Sequence, residues 1–330
     1  KFGQLTPMYG FRGKWGYTNA AFVAGGQIIT AATGKGWADY LTENIFKPLG
    51  MDRTVALSRD LLKAINKAVP HTLNQNQQMQ AIPYCDIDNL APAGSVSSSV
   101  NDMSKWVTML LNNGRFSDKQ VVPANAIFQT RLPHSIMGNG HHMYNKVNFA
   151  LYGLGWVLED YNGKKMISHT GGVNGFVTSV TLIPEEKLGV VVLTNTDQNA
   201  LYEAIKWEIL DAYLKLPYRN YSGTFLESYK AQIKNMSDTW KKKYDTVAMH
   251  NATSLPLSAY SGQYEHEVYG WLKVAAGTDH LTMTFQHHPK LQGKLELLGG
   301  DRFVCTYNDP VIFMEYAIDV ADACRAAGIK

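Results

Sequence analysis

Two short segments, far apart in the chain, carry side chains suited to acid–base and hydrogen-bonding chemistry on a bound molecule. Tyr17-Thr18-Asn19 stands at the head of an apolar helix, and His169-Thr170-Gly171-Gly172 stands at the end of a strand. A phenol titrates near pKa ~10 and acts as a base only where cations stabilise the phenolate. An imidazole titrates near ~6.5 and is mostly neutral at neutral pH. An Asn amide both donates and accepts hydrogen bonds. Paired glycines let another backbone lie close against a strand. Each residue also has an ordinary reading. Tyr17 is one of 18 tyrosines and fits a core or a surface. Asn19 fits a plain helix N-cap, His169 a structural strand-end histidine, and Thr170 a packing or hydrogen-bonding position.

The elements around these segments follow from periodicity. Asn19 starts a helix that runs to about Ala32 and stops at Gly34, with Gly25 and Gly26 leaving room for close packing. Trp37, Tyr40, Leu41 and Ile45 recur at helical spacing, and Pro48 ends that helix. A third helix follows Ser99, with Asp102 completing a capping-box pattern, and ends near Gly114. Residues 70–94 read as a long irregular loop. After Phe149 the period becomes strand-like: Gly153–Asp160, a turn at Tyr161-Asn162-Gly163, then Lys164–His169, Phe176–Ile183 and Leu188–Asn195. The unalternating Val190-Val191-Val192-Leu193 predicts a strand covered on both faces. A helix over Asn199–Leu214 packs on the sheet. An amphipathic helix with Tyr229, Ile233, Met236, Trp240 and Tyr244 in one stripe follows Pro217. From about Leu255 the pattern is six short strands, the last over Val311–Ile318, and predicts a small antiparallel barrel or sandwich.

Composition narrows the function classes. The chain has 330 residues, 45% hydrophobic and 18% charged, with a formal net charge of +3, which fits a soluble globular protein of about two domains. Lys241-Lys242-Lys243 is the one basic run and reads as a solvated helix face, so no nucleic-acid partner is implied. The longest apolar stretch, Ala20–Ala32, is broken by Gly25, Gly26, Gln27 and Thr30, so no membrane span is expected. Cys85, Cys305 and Cys324 form no Cys-x-x-Cys and no disulfide framework. The pairs His141-His142 and His287-His288 lack ligand spacing for a metal.

Several further stretches, in order, complete a recognisable set. They are Ile45-Phe46-Lys47-Pro48-Leu49-Gly50-Met51, Pro92-Ala93-Gly94-Ser95, Tyr152-Gly153-Leu154-Gly155-Trp156 and Val192-Leu193-Thr194-Asn195. With the two opening segments, these resemble the β-lactamase-related serine hydrolases, a group that includes class C β-lactamases, penicillin-binding proteins, D-aminopeptidases and esterases. The resemblance covers residues 1 to about 215. Members use a nucleophilic Ser whose partner Lys lies one helical turn later. None of the 23 Lys residues here follows a Ser by three places. The chain therefore reads as such an enzyme without its Ser-x-x-Lys segment, and its N-terminal strands are expected to be missing as well.

The resemblance implies an α+β fold: a β-lactamase/transpeptidase-like antiparallel sheet flanked by helices, N-terminal part missing, followed by a small all-β barrel-like domain. The expected division is 1–217 for the hydrolase domain, 218–254 for a helical connector and 255–330 for the β-domain. By the resemblance, Tyr17 is the base, Asn19 binds a substrate carbonyl, and Thr170 and Gly171 line the substrate strand. Gly172 supplies one oxyanion N–H, the nucleophile's own N–H being the other. His169 stands where many relatives carry Lys, so the site is expected to select less for carboxylates and to favour esters, amides or peptides. The implied activity is acyl-enzyme hydrolysis in the intact parent, with this chain inactive alone. The alternative is a non-catalytic ligand-binding or scaffolding protein. No cofactor is implied. The expected partners are a small-molecule or peptide substrate, and a second chain or the missing N-terminal segment to complete the sheet. The family resemblance favours a periplasmic or secreted location.

Overall fold

The computed structural model describes residues 3, 5–74, 77–249, 252–309 and 311. It divides into two compact units: one of residues 7–71 and 81–226, the other of 227–330 together with 1–6 and 72–80.

The larger unit is built on a six-stranded antiparallel sheet. Its strands are β1 (Ser135–Gly138), β2 (Ala150–Tyr152), β3 (Val157–Tyr161), β4 (Lys164–Val173), β5 (Phe176–Ile183) and β6 (Leu188–Thr194), and they lie in sequence order. Each pairs with the next, so the sheet is a meander of local connections. The β3–β4 turn is Asn162-Gly163, with φ of 49° and 74°, as the sequence predicts for a two-residue hairpin. Tyr161 belongs to β3 and is fully buried instead of standing in that turn.

Period-two alternation sends side chains to two cores. Leu158, Ile167 and Leu182 face α3 (Val100–Leu111) and pack with Val107, Leu110 and Trp156. Tyr161, Met166, Ile183, Val190 and Val192 face α5 (Leu201–Tyr213) and pack with Trp207 and Leu210. Fully burying each such side chain contributes roughly 1.5–3 kcal/mol. Val191 lies against the first core while Val190 and Val192 enter the second, so β6 is covered on both faces to that point, but Leu193 is exposed. Among the described residues nothing pairs with the outer edge of β6.

Helix α1 (Asn19–Thr33) ends at Gly34, whose φ of 70° closes the last turn. Its N-cap is Thr18, and Asn19 is the first helical residue, a correction to the expected cap. Gly26 is the buried glycine of the pair: a Cβ there would collide with Pro92. Helix α2 (Trp37–Leu41) runs on through a π-helical turn at Thr42–Phe46 to Leu49 and stops at Gly50, φ 64°. Pro48 thus sits inside the final turn and does not end the helix. Ser99 caps α3 by accepting from Asp102 N, but the box is not reciprocal. The Asp102 carboxylate instead accepts from Arg53 N at 2.8 Å and Thr54 Oγ1 at 2.9 Å, being too short to return to Ser99 while a neighbouring turn offers donors. Among the elements without a strong sequence signal are α4 (Ala124–Thr130) and a short hairpin of His71–Leu73 with Met79–Ala81 inside the expected loop.

Helix α6 (Tyr221–Val247) spans the boundary between the units, which falls after Leu226. Beyond it the smaller unit holds β7 (Gly262–His266), β8 (Gly270–Ala276), β9 (Leu281–Phe285), β10 (Gln292–Gly299) and β11 (Arg302–Tyr307), paired in that order. Val274, Leu281, Met283, Leu295, Phe303 and Cys305 form its core. Among the described residues these five strands form an antiparallel meander in which β7 and β11 do not pair, broadly the small all-β domain expected. The strand expected over Val311–Ile318 lies outside the described residues except for Val311.

Candidate active site

β4 is longer than the sequence pattern suggests, and this creates the site. β3 stops at Val157, opposite Ser168. β4 continues to Val173, pairing only with β5: His169 with Val180, Thr170 with Ser179, Gly171 with Thr178 and Gly172 with Val177. His169 is therefore inside a strand, a correction to the strand-end reading. From His169 to Val173, one flank of β4 carries no strand among the described residues. The early stop of β3 has a local cause. At Gly153 a Cβ would collide with the Thr130 carbonyl oxygen, and Gly155 adopts a φ of 79°. Residues 153–156 therefore form the β2–β3 connection and not the start of a strand.

A shallow cleft of about 350 Å³ opens at this flank. His169, Thr170 and Gly171 line it together with Met103 and Trp106 of α3, Trp156, Thr178 and Val180. Gly171 lies on the face of Thr178, where a side chain would meet the Thr178 hydroxyl. No lining side chain bears a formal charge.

Tyr17 reaches the same place from the far end of the unit's sequence. Its ring centroid lies 5.9 Å from that of His169. Tyr152 sits edge-on to both, at 6.2 Å from Tyr17 and 6.1 Å from His169, and Trp15 lies 5.8 Å from Tyr152. The Tyr17 ring also contacts Phe22 of α1, at 5.7 Å. His169 Nδ1 lies 2.6 Å from the Thr170 carbonyl oxygen and Nε2 lies 3.0 Å from the Tyr152 hydroxyl. Burial pushes the Tyr17 phenol above its ordinary range and drives Tyr152 up to about 12, with Tyr17 adding to the shift at Tyr152.

His169, Thr170 and Gly171 thus line one cleft, and Tyr17 stands beside it against His169 without being part of the lining. Gly172 is the next residue along the open flank and lies outside the lining. Asn19 is exposed on the first turn of α1, and its side chain makes no hydrogen bond among the described residues. Tyr152 and Trp15 carry no chemistry in the sequence reading. Tyr152 lies in the quoted Tyr152–Trp156 stretch, but only the three-residue strand β2 brings it beside His169. Among the described residues, no three His, Cys, Asp or Glu side chains cluster to hold a metal. No helix among them is long and apolar enough to cross a membrane.

The chain is 27% identical to an unguisins hydrolase of Aspergillus violaceofuscus over 95% of its own length and 60% of the relative's. It is 28% identical to the D-alanyl-D-alanine-carboxypeptidase/endopeptidase AmpH of Escherichia coli over 54% of its own length and 44% of that protein's. The chain thus spans about half of the curated relatives it matches. The octameric penicillin-binding protein homologue of Pyrococcus abyssi superposes with a TM-score of 0.55 at 19% identity, over 90% of this chain and 61% of that one, a likeness of fold. Residues 248–330 match a domain of unknown function, DUF3471. Residues 1–214 match the family described as Beta-lactamase, and the chain belongs to that family.

Proposed function

We propose that these residues form part of the site of a serine hydrolase that works through an acyl-enzyme on ester, amide or peptide substrates. The carrying observation is the meeting of Tyr17 and His169, 5.9 Å apart between ring centroids, beside the open flank of β4. Substrate backbone lies along His169–Val173 as an added strand, with Gly171 and Gly172 permitting close approach and the Gly172 N–H serving the oxyanion. Asn19 holds a substrate carbonyl. The names of the Aspergillus and Escherichia coli relatives, a hydrolase and a peptidase, support amide chemistry.

The 330 residues carry no Ser-x-x-Lys and are catalytically silent by themselves. Both phenols stand above their ordinary range because burial disfavours the anion. Neither is a base until a cation such as the Lys of a Ser-x-x-Lys stands beside it. That observation also favours a second reading, in which the chain binds ligands in its cleft without reacting.

One experiment separates the two. When a Ser-x-x-Lys segment of the same family is joined ahead of these residues, the product should hydrolyse short p-nitrophenyl esters faster than nitrocefin. Tyr17→Phe should lower its kcat by about 100-fold or more, the usual scale for loss of a general base. Unchanged turnover in Tyr17→Phe would remove Tyr17 from the site. Ligand binding without turnover in the unsubstituted fusion would favour the binding reading.

A further inference from the structure

His169 makes two hydrogen bonds, and their chemistry fixes where its proton sits. A carbonyl oxygen only accepts, so the 2.6 Å contact from Nδ1 to the Thr170 oxygen requires a proton on Nδ1. In the neutral ring, Nε2 then carries the lone pair. The Tyr152 hydroxyl, 3.0 Å away, is the donor to it. No other partner takes the Tyr152 proton among the described residues, and burial keeps that phenol protonated, its pKa being pushed up to about 12.

We propose that Tyr152 is a positioning and specificity-determining residue. Its hydroxyl caps Nε2 and locks the neutral form of His169 as the Nδ1–H tautomer, so that the ring faces the cleft fully hydrogen-bonded and not as a free base.

The Tyr152 ring is held independently of that hydrogen bond. It contacts Trp15 at 5.8 Å and Tyr17 at 6.2 Å, and its backbone is paired on both sides, with Val157 and Ser135. The remaining lining side chains, Met103, Trp106, Leu154, Trp156, Thr178 and Val180, are uncharged. The matching substrate class is a neutral acyl group without a carboxylate at the His169 position, because the lining offers no Lys or Arg to pair with one. This consequence for substrate rests on the hydrolase reading; the tautomer does not.

The test uses the 330-residue chain with 15N-labelled histidine, and its long-range 1H–15N spectrum at about pH 8, where an ordinary imidazole is neutral. The chain has 10 histidines, and loss of one pattern in His169→Gln assigns the signal. The expected result is the Nδ1–H pattern for His169. In Tyr152→Phe, which keeps the ring and removes the donor, the Nδ1–H to Nε2–H ratio should fall by about fivefold, the factor that corresponds to about 1 kcal/mol. An Nε2–H pattern in the unsubstituted chain would overturn the proposal even if Tyr152→Phe did not fold, and so would an unchanged ratio in folded Tyr152→Phe. Neither spectrum requires turnover, so a failure here and a failure of the hydrolase reading are separate results.

Discussion

At the scale of the residue, a half-buried histidine on the opposite face of the sheet from the cleft shows how environment decides protonation. His142 packs on Trp207 at 4.5 Å and Tyr161 at 5.1 Å, and its Nδ1 accepts from the backbone N–H of Tyr144 and Asn145. Burial pushes its pKa down to about 4, with Asp211 opposing the shift and Arg219, Lys206 and His141 adding to it. The unfolded chain, with an ordinary histidine near ~6.5, binds the extra proton first. Stability should therefore fall as pH drops from about 6.5 to about 4 and level off below, by on the order of 2 kcal/mol. His142→Asn keeps an acceptor near Nδ1 and should flatten that window in urea midpoints measured across pH; an equal slope in both proteins would refute the assignment. The sequence shows His141-His142 only as a pair without metal spacing, because the aromatic shell of Tyr161, Trp207 and Tyr221 comes from three distant segments. For the same reason Tyr17 and His169 are legible as motif residues, whereas Tyr152, placed by β2, is not.

Individual elements were legible where one physical signal dominates. The glycine stop of α1, the Ser99 cap of α3 and the Asn162-Gly163 turn stand where local chemistry puts them. The failures are places where tertiary contact outweighs pattern. β2 has three residues, too few to show alternation, and β1 pairs with it across a register shift. The π-helical turn at Thr42–Phe46 carries α2 past the residue that precedes Pro48. Gly153 looks like a strand residue in the sequence, yet it is required because the Thr130 carbonyl occupies the space of a Cβ. Gly153→Ala should lower stability by about 1–3 kcal/mol through overpacking, seen as a lower thermal midpoint. It should also disturb the His169 tautomer signature, because Gly153 directly follows Tyr152, whose hydroxyl meets Nε2. An unchanged midpoint would show that the β2–β3 connection shifts to make room.

At the scale of the whole molecule, the larger unit brings Tyr17 and His169 together and, among the described residues, leaves an unpaired sheet edge at β6. The smaller unit holds a five-stranded sheet with its own core among the described residues, and residues 248–330 match a domain of unknown function. The family and the α+β architecture were legible because ordered motifs survive at low identity. The central claim is that these residues hold the Tyr-x-Asn and His-Thr-Gly parts of a serine hydrolase site without its nucleophile. Losing the nucleophile of such an enzyme removes nearly all of its catalysis. The most direct measurement is mass spectrometry of the 330-residue chain after incubation with a fluorophosphonate probe. The account predicts an unmodified chain; a stoichiometrically phosphonylated serine within these residues would contradict it.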